Sequence, residues 1–294
     1  MELQSRVEEI RKQGLGLAVI SYDSPEIIAA FSKQRGITFT MLSDAGSATI
    51  KSYGILNPVP EWAIGPNAND PAVQAEVQKY VSVVRPNATM VGIAFPGTFI
   101  LDRQGRVTAR FFEDFYIERN TVSSILMRLG DTQGTVAGTK VSTAHLDLTT
   151  YPSDPVIAPG NRIGLALEVT PKTGMHVYAP GASSYRVISV KLEPQPFVRA
   201  LPLKYPASEI YNFKPLNERV PVFQKPFTLV QEVIVEGTPQ AQAAFRGKDS
   251  LTLTGSLEYQ ACDDAICYNP ASIPLSWTLN FRPLVMERPA APRQ

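Results

Sequence analysis

Cysteine is nearly absent from this chain. Its 294 residues hold two, Cys262 and Cys267, beside only two histidines, His145 and His176. Four such side chains with no Cys-x2-Cys spacing make a poor zinc ligand set, so no metal and no cofactor is expected. An excess of one charge is missing too. The net charge is +1, which leaves no global field to gather nucleic acid or an anionic membrane. No run of about 18 apolar residues occurs, so no segment reads as a transmembrane helix. The opening "MELQSRVEEIRKQG" reads as a charged helix rather than a signal peptide.

Apolar residues make up 44% of the chain and charged residues 19%, the balance of a globular protein. The length suits two domains of ordinary size. Proline is abundant at 25 residues, mostly after position 150, which fits a second half rich in strands and turns.

Before position 130 helical and strand patterns alternate. Leu3, Val7 and Ile10 repeat at helical spacing, and Gly14 stands where a C-cap belongs. "LGLAVISYD" (15–23) is an apolar run expected of a strand covered on both faces. Ser24, Pro25 and Glu26 read as N-cap, first-turn proline and first-turn acid of a helix ending near Gly36. "ITFTML" (37–42) reads as a strand and 43–55 as a short helix, with another helix from Asp70-Pro71 to about Tyr80. "GTFILD" and "RVTARFF" form a hairpin pattern around Arg103-Gln104-Gly105, and a last helix follows Asn120. The expectation is an α/β domain over 1–130 and a polar linker over 131–142.

Beyond the linker the period becomes two. Ile163, Leu165, Leu167 and Val169 alternate with smaller or polar residues, and so do Leu251, Leu253, Leu257 and Tyr259. Ile273, Leu275, Trp277, Leu279 and Phe281 repeat the pattern. With strands near 187–192 and 227–235, residues 143–283 read as an antiparallel β-sandwich, and 284–294 as a disordered tail.

Both cysteines lie in "YQACDDAICYNP" (259–270), where one predicted strand ends and the next begins. Facing Cα atoms of an antiparallel pair lie within disulfide range, so a bond forms easily. As a staple it is badly placed. Closing about six residues is worth about 2 kcal/mol in the chain-entropy model, and a hairpin has already closed that loop. Redox exchange therefore stands ahead of a structural bridge. No Lys, Arg or His occurs from Gly255 to Leu275, while Asp263 and Asp264 follow Cys262 directly. Their charge raises a thiol pKa, the reverse of an activated nucleophile, and favours a pair attacked by a partner's thiolate.

"LTLTGSLEYQACDDAICYNP" resembles the cysteine hairpin of the N-terminal, immunoglobulin-like domain of the DsbD thiol:disulfide interchange family, with Tyr259, Gln260, Cys262, Cys267, Tyr268 and Pro270 on the family's pattern. The loop between the cysteines is one residue shorter than in the best-known member. The resemblance covers about 143–282. It implies that Cys262 and Cys267 exchange electrons between a thioredoxin-like or membrane-bound partner and other acceptors outside the cytoplasm, with Cys267 forming the mixed disulfide. "TGMHVYAPG" (173–181) places His176 and Tyr178 beside the pair, and "SEIYNF" (208–213) offers Tyr211 or Phe213 as its cover. Ordinary core packing remains the alternative for these aromatics.

The first half resembles the thioredoxin-like peroxiredoxins of the AhpC/TSA kind. "FPGTFILDRQGRV" (95–107) matches their Pro-x-Thr-Phe segment, which makes Pro96 the candidate for their cis-proline. In that family the reactive cysteine opens a long helix, and the strand before it is central in the sheet. This sequence starts inside that helix and has no cysteine in the domain, so no peroxidase activity is expected of it. A sheet without that strand leaves neighbours unpaired, and we expect Met1 to be a boundary within a longer protein. The competing reading is a non-catalytic binding module, a sandwich with a structural disulfide joined to a degenerate thioredoxin fold.

Overall fold

The computed structural model describes residues 2–81, 85–112, 118–130, 138–213 and 218–282. The expected tail and most of the expected linker lie outside them. The chain is mixed α/β at first and β-rich afterwards, and it divides into two compact units with the main boundary between Val122 and Ser123.

In the first unit the helix Val7–Lys12 buries Val7 and Ile10, two of the three residues that helical spacing singles out. Strand Ala18–Ser21 runs parallel to Thr40–Ser43. A parallel pair needs a crossover, and the helix Pro25–Arg35 supplies it. Ser24 caps that helix by accepting from the Ile27 amide, Pro25 opens it, and Gly36 ends it at φ 61°, a conformation costly for any residue with a Cβ. Gly97–Leu101 and Val107–Phe112 pair as the expected hairpin. Asp102 shapes its turn by accepting from the Gln104 and Arg106 amides.

Two expectations for this unit change. Strand Ala18–Ser21 is not covered on both faces: Ile20 is 44% exposed, and Leu42 beside it 47%. Ile20 and Leu42 are register partners, so their side chains stand together on an open face of the pair. Among the described residues the two pairs form separate two-stranded sheets, so Ala18–Ser21 has a single strand neighbour. The bond before Pro96 is trans rather than cis, since no described peptide bond is cis. Residues 93–95 are already laddered to the chain at 55–57, through Asn57 N to Ile93 O and Phe95 N to Ile55 O, and a trans proline carries that extended run straight into Gly97–Leu101.

The helix after Asn120, Val122–Arg128, works for the second unit. Its Met127 packs with Tyr151, Ala166 and Val230, and Arg128 pairs with Glu232. One sheet of that unit runs in the order Val198–Ala200, Phe227–Val235, Asn161–Pro171, Leu146–Pro152, Thr139–Ser142. A second runs Ser189–Leu192, Ser250–Tyr259, Ala271–Phe281, Val156–Ile157. The alternating residues Leu253, Leu257, Tyr259, Ile273, Leu275, Trp277 and Leu279 are all buried. Each large apolar side chain so placed contributes about 1.5–3 kcal/mol. The Trp277 indole donates to Thr150 Oγ1 at 2.9 Å, tying the second sheet to the first across this core. A third, smaller sheet, Glu209–Phe213, Glu218–Phe223, His176–Tyr178, Ala261–Cys262, carries the cysteines.

Candidate functional site

Cys262 and Cys267 form a disulfide, with Cα atoms 4.1 Å apart. Cys262 ends the short strand Ala261–Cys262, where it pairs with His176 as Ala261 does with Val177. The tetrapeptide between the cysteines folds around Asp263. Its carboxylate accepts from the Ala265 and Ile266 amides at 2.8 and 2.6 Å and from the Tyr268 hydroxyl at 2.9 Å. Those bonds hold the Asp263 carboxyl below the usual range, the amide of Ala265 contributing most. Gln260 closes the far side: its side chain donates to Tyr268 O and accepts from the Arg186 amide, each at 3.0 Å. The motif's polar residues thus build the loop, while Cys262 is buried in the sheet.

The two cysteine residues differ sharply in exposure. Cys262 is 1% exposed, whereas Cys267 is open to solvent beside Ile266, itself 57% exposed. The Tyr178 hydroxyl lies 2.9 Å from Cys262 Sγ and 3.4 Å from Cys267 Sγ. Burial, followed by neighbouring Tyr185, pushes the Tyr178 phenol far above the ordinary tyrosine value, so it remains a proton-bearing group at any physiological pH. Tyr178, Ala182, Val222 and Cys262 form one buried cluster, with Tyr185, Val187, Tyr211 and Val220 packed on it.

His176 is 2% exposed and stands between Tyr178 and Tyr211, with ring centroids 5.5 and 4.4 Å away. Burial depresses its pKa, opposed by Asp264 and Asp263. Tyr211 donates to Asp264 Oδ1 at 2.5 Å, bridging the strand Glu209–Phe213 to the cysteine loop. That bond, then burial, pushes Tyr211 up to about 12.

The structure brings His176, Tyr178 and Tyr211 together with both cysteines around one small pocket. Tyr268 flanks it through Asp263, its ring 4.5 Å from that of His145. The Tyr259 hydroxyl reaches Thr143 and His145 instead. The Phe213 side chain lies outside the described residues. Sequence reasoning missed Tyr185, which stacks on Tyr178 at 4.0 Å and within 5° of parallel, and Glu218, which accepts from the Tyr185 hydroxyl at 2.5 Å. Neither sits in a periodic pattern or near the cysteines in sequence, so nothing in the chain marks them.

Residues 1–110 match the AhpC/TSA family, and residues 149–273 match the family described as thiol:disulfide interchange protein DsbD, N-terminal. Both resemblances read from the sequence therefore hold. No curated protein matches the chain. Among solved structures, the N-terminal periplasmic domain of ScsB from Proteus mirabilis is 12% identical, with a TM-score of 0.35 over 49% of this chain and 50% of that one. The chain thus spans about half the length of that structure. Among the described residues no helix is long and apolar enough to cross a membrane.

Proposed function

We propose that this chain is a thiol:disulfide exchange component that relays electrons through Cys262 and Cys267, with a thioredoxin-like or membrane-bound protein as its partner outside the cytoplasm. The single observation that carries this reading is the unequal exposure of the two cysteine residues, joined to the DsbD-type match over the residues that hold them. A partner thiolate attacks Cys267 Sγ, on the more exposed residue of the pair, and forms an intermolecular disulfide. The Cys262–Cys267 bond breaks, and Cys262 leaves with the electron pair beside the Tyr178 hydroxyl, a hydrogen-bond donor for the new thiolate. The partner's second thiolate then attacks its own bridged sulfur. Cys267 is released reduced, and the partner carries away the disulfide. Two electrons enter this chain, and the reverse sequence returns them.

In this reading residues 143–283 form an immunoglobulin-like sandwich that presents the pair, and residues 1–130 a thioredoxin-like domain acting as scaffold or docking surface. Residues 1–130 hold no cysteine. The test is a redox titration. The protein is equilibrated in dithiothreitol or glutathione buffers, free thiols are alkylated, and the intact chain is weighed. A midpoint between about −180 and −270 mV supports exchange. A midpoint well below about −300 mV marks a structural bridge and leaves the binding-module reading.

A further inference from the structure

Ile266 precedes Cys267 and is 57% exposed, more than any other large apolar side chain described in the second unit. A single exposed aliphatic residue is ordinary. What sets this one apart is how firmly its backbone is held. Its amide donates to Asp263 Oδ1 at 2.6 Å, and its carbonyl accepts from the Asp263 amide at 3.0 Å. Ala265 donates to the same carboxylate, and beyond Cys267 the Tyr268 amide returns to Ala261 O at 2.9 Å. The tetrapeptide is closed on itself, with the disulfide joining the residues at its two ends. A side chain displayed on a loop already in order loses little backbone freedom when something covers it, which is the condition for a strong contact. It stands one peptide bond from the more exposed cysteine, at a Cα spacing of about 3.8 Å. A polypeptide that brings a thiolate to Cys267 therefore covers Ile266 as well.

The charge around this residue narrows what that polypeptide is. Asp263 and Asp264 stand in the loop itself, and Glu218 holds Tyr185 at the wall of the pocket beside the disulfide. None of the residues lining that pocket is Lys or Arg. Arg186, bound through its amide to Gln260, has its guanidinium 3.5 Å from Glu258, which Lys191 also reaches at 2.7 Å. An attacking thiolate is itself an anion, so the loop carboxylates repel it unless its carrier brings positive charge. Cations beside a thiol also lower its pKa and so raise the fraction present as thiolate. We propose that Ile266 is the docking anchor of the exchange reaction, and that the partner is a polypeptide whose reactive cysteine lies beside an apolar recess rimmed by Lys or Arg; this deepens the exchange reading and rests on it.

In the docked state the partner's thiolate bonds to Cys267 Sγ as the Cys262–Cys267 bond breaks, and the electron pair of that bond leaves on Cys262. Ile266 meets none of these atoms and is a positioning and specificity residue. A second copy of this chain fits the surface badly, because one acidic loop would face another. The same carboxylates repel an anionic membrane. A basic, apolar thiol carrier is the occupant that the exposed side chain and the charge both favour.

The experiment uses the oxidised full chain and four thiols as probes: 2-mercaptoethanol and three capped pentapeptides with a central cysteine. One peptide has leucine on both sides of the cysteine and lysine outside, the second serine and lysine, the third leucine and glutamate. Acid quench and mass measurement at pH 7.5 give the rate at which each opens the disulfide, divided by the probe's thiolate fraction. The leucine–lysine peptide is expected to react about fivefold faster than the serine–lysine peptide, from partial burial of its leucines against Ile266. It is expected to react about tenfold faster than the leucine–glutamate peptide at about 20 mM salt, a ratio that shrinks at about 0.5 M. Ile266→Ser keeps the backbone bonds of the loop and should erase the leucine preference, while the 2-mercaptoethanol rate stays within twofold of the parent chain. Asp264→Asn keeps an acceptor for the Tyr211 hydroxyl and should at least halve the lysine preference. Peptide ratios within twofold of one, a leucine preference that survives Ile266→Ser, or an Ile266→Ser chain that slows 2-mercaptoethanol as much as the leucine–lysine peptide would each overturn the anchor. A redox midpoint in the structural range removes the exchange reading itself, whatever these ratios are. A midpoint in the exchange range with flat ratios removes the anchor alone.

Discussion

Cys262 and Cys267 share one disulfide in opposite surroundings: the first is packed with Tyr178, Ala182 and Val222, the second opens to solvent at the loop's end. A thiol at each position should therefore differ in reach. In Cys262→Ser the remaining thiol is expected to react with iodoacetamide at least tenfold faster than the remaining thiol of Cys267→Ser at pH 8. Equal rates, followed by mass spectrometry, would show that exposure in the disulfide does not carry over to the free thiols.

The same geometry limits what the bond does for stability. The loop it closes is already held by the Asp263 bonds, by Gln260, and by the Tyr268 amide on Ala261 O. The double variant Cys262→Ser/Cys267→Ser is expected to lose no more than about 2 kcal/mol in urea unfolding. A loss of 4 kcal/mol or more would make the pair a staple and count against a primary redox role.

Much of this was legible in the chain because its signals are local. Ser24-Pro25 and Gly36 bound a helix by their own backbone chemistry, and the alternation from Leu251 to Tyr259 and from Ile273 to Phe281 lays out two long paired strands. The cysteine hairpin was legible for the same reason. What stayed hidden depends on distant sequence. Tyr185 meets Glu218 across 33 residues, and Tyr178 meets Cys262 across 84, so only the sheet order brings them together. Strand Ala18–Ser21 misled because a run of apolar residues reports what could be covered, not what covers it.

Glu232 offers a test of the sandwich core. Its side chain is 5% exposed and pairs with Arg162 at 3.1 Å and Arg128 at 3.3 Å. Removing the buried carboxylate takes an ion pair from each of two guanidinium groups, at a cost of up to about 3–5 kcal/mol. Glu232→Ala should lower stability by that order in urea unfolding of the chain. A loss under 1 kcal/mol would mean that water enters to solvate both arginines.

His176 should make stability fall with acid in a window set by its own titration. Burial lowers its folded pKa below the unfolded value of about 6.5, although Asp264 and Asp263 pull the other way. Between the two values the unfolded chain binds more protons than the folded one, so stability rises with pH there. The contribution is fully present above about 6.5, is lost as pH falls toward the folded pKa, and then levels off. Proton NMR of the His176 ring should place its midpoint below that of an exposed histidine. The urea midpoint should drop from pH 7.5 to pH 5.5, and His176→Gln should flatten that part of the profile. A ring that titrates above 6.5 would mean that the two aspartates outweigh burial, and the slope would then reverse: protonation would stabilise the fold, and stability would fall as pH rises through that midpoint.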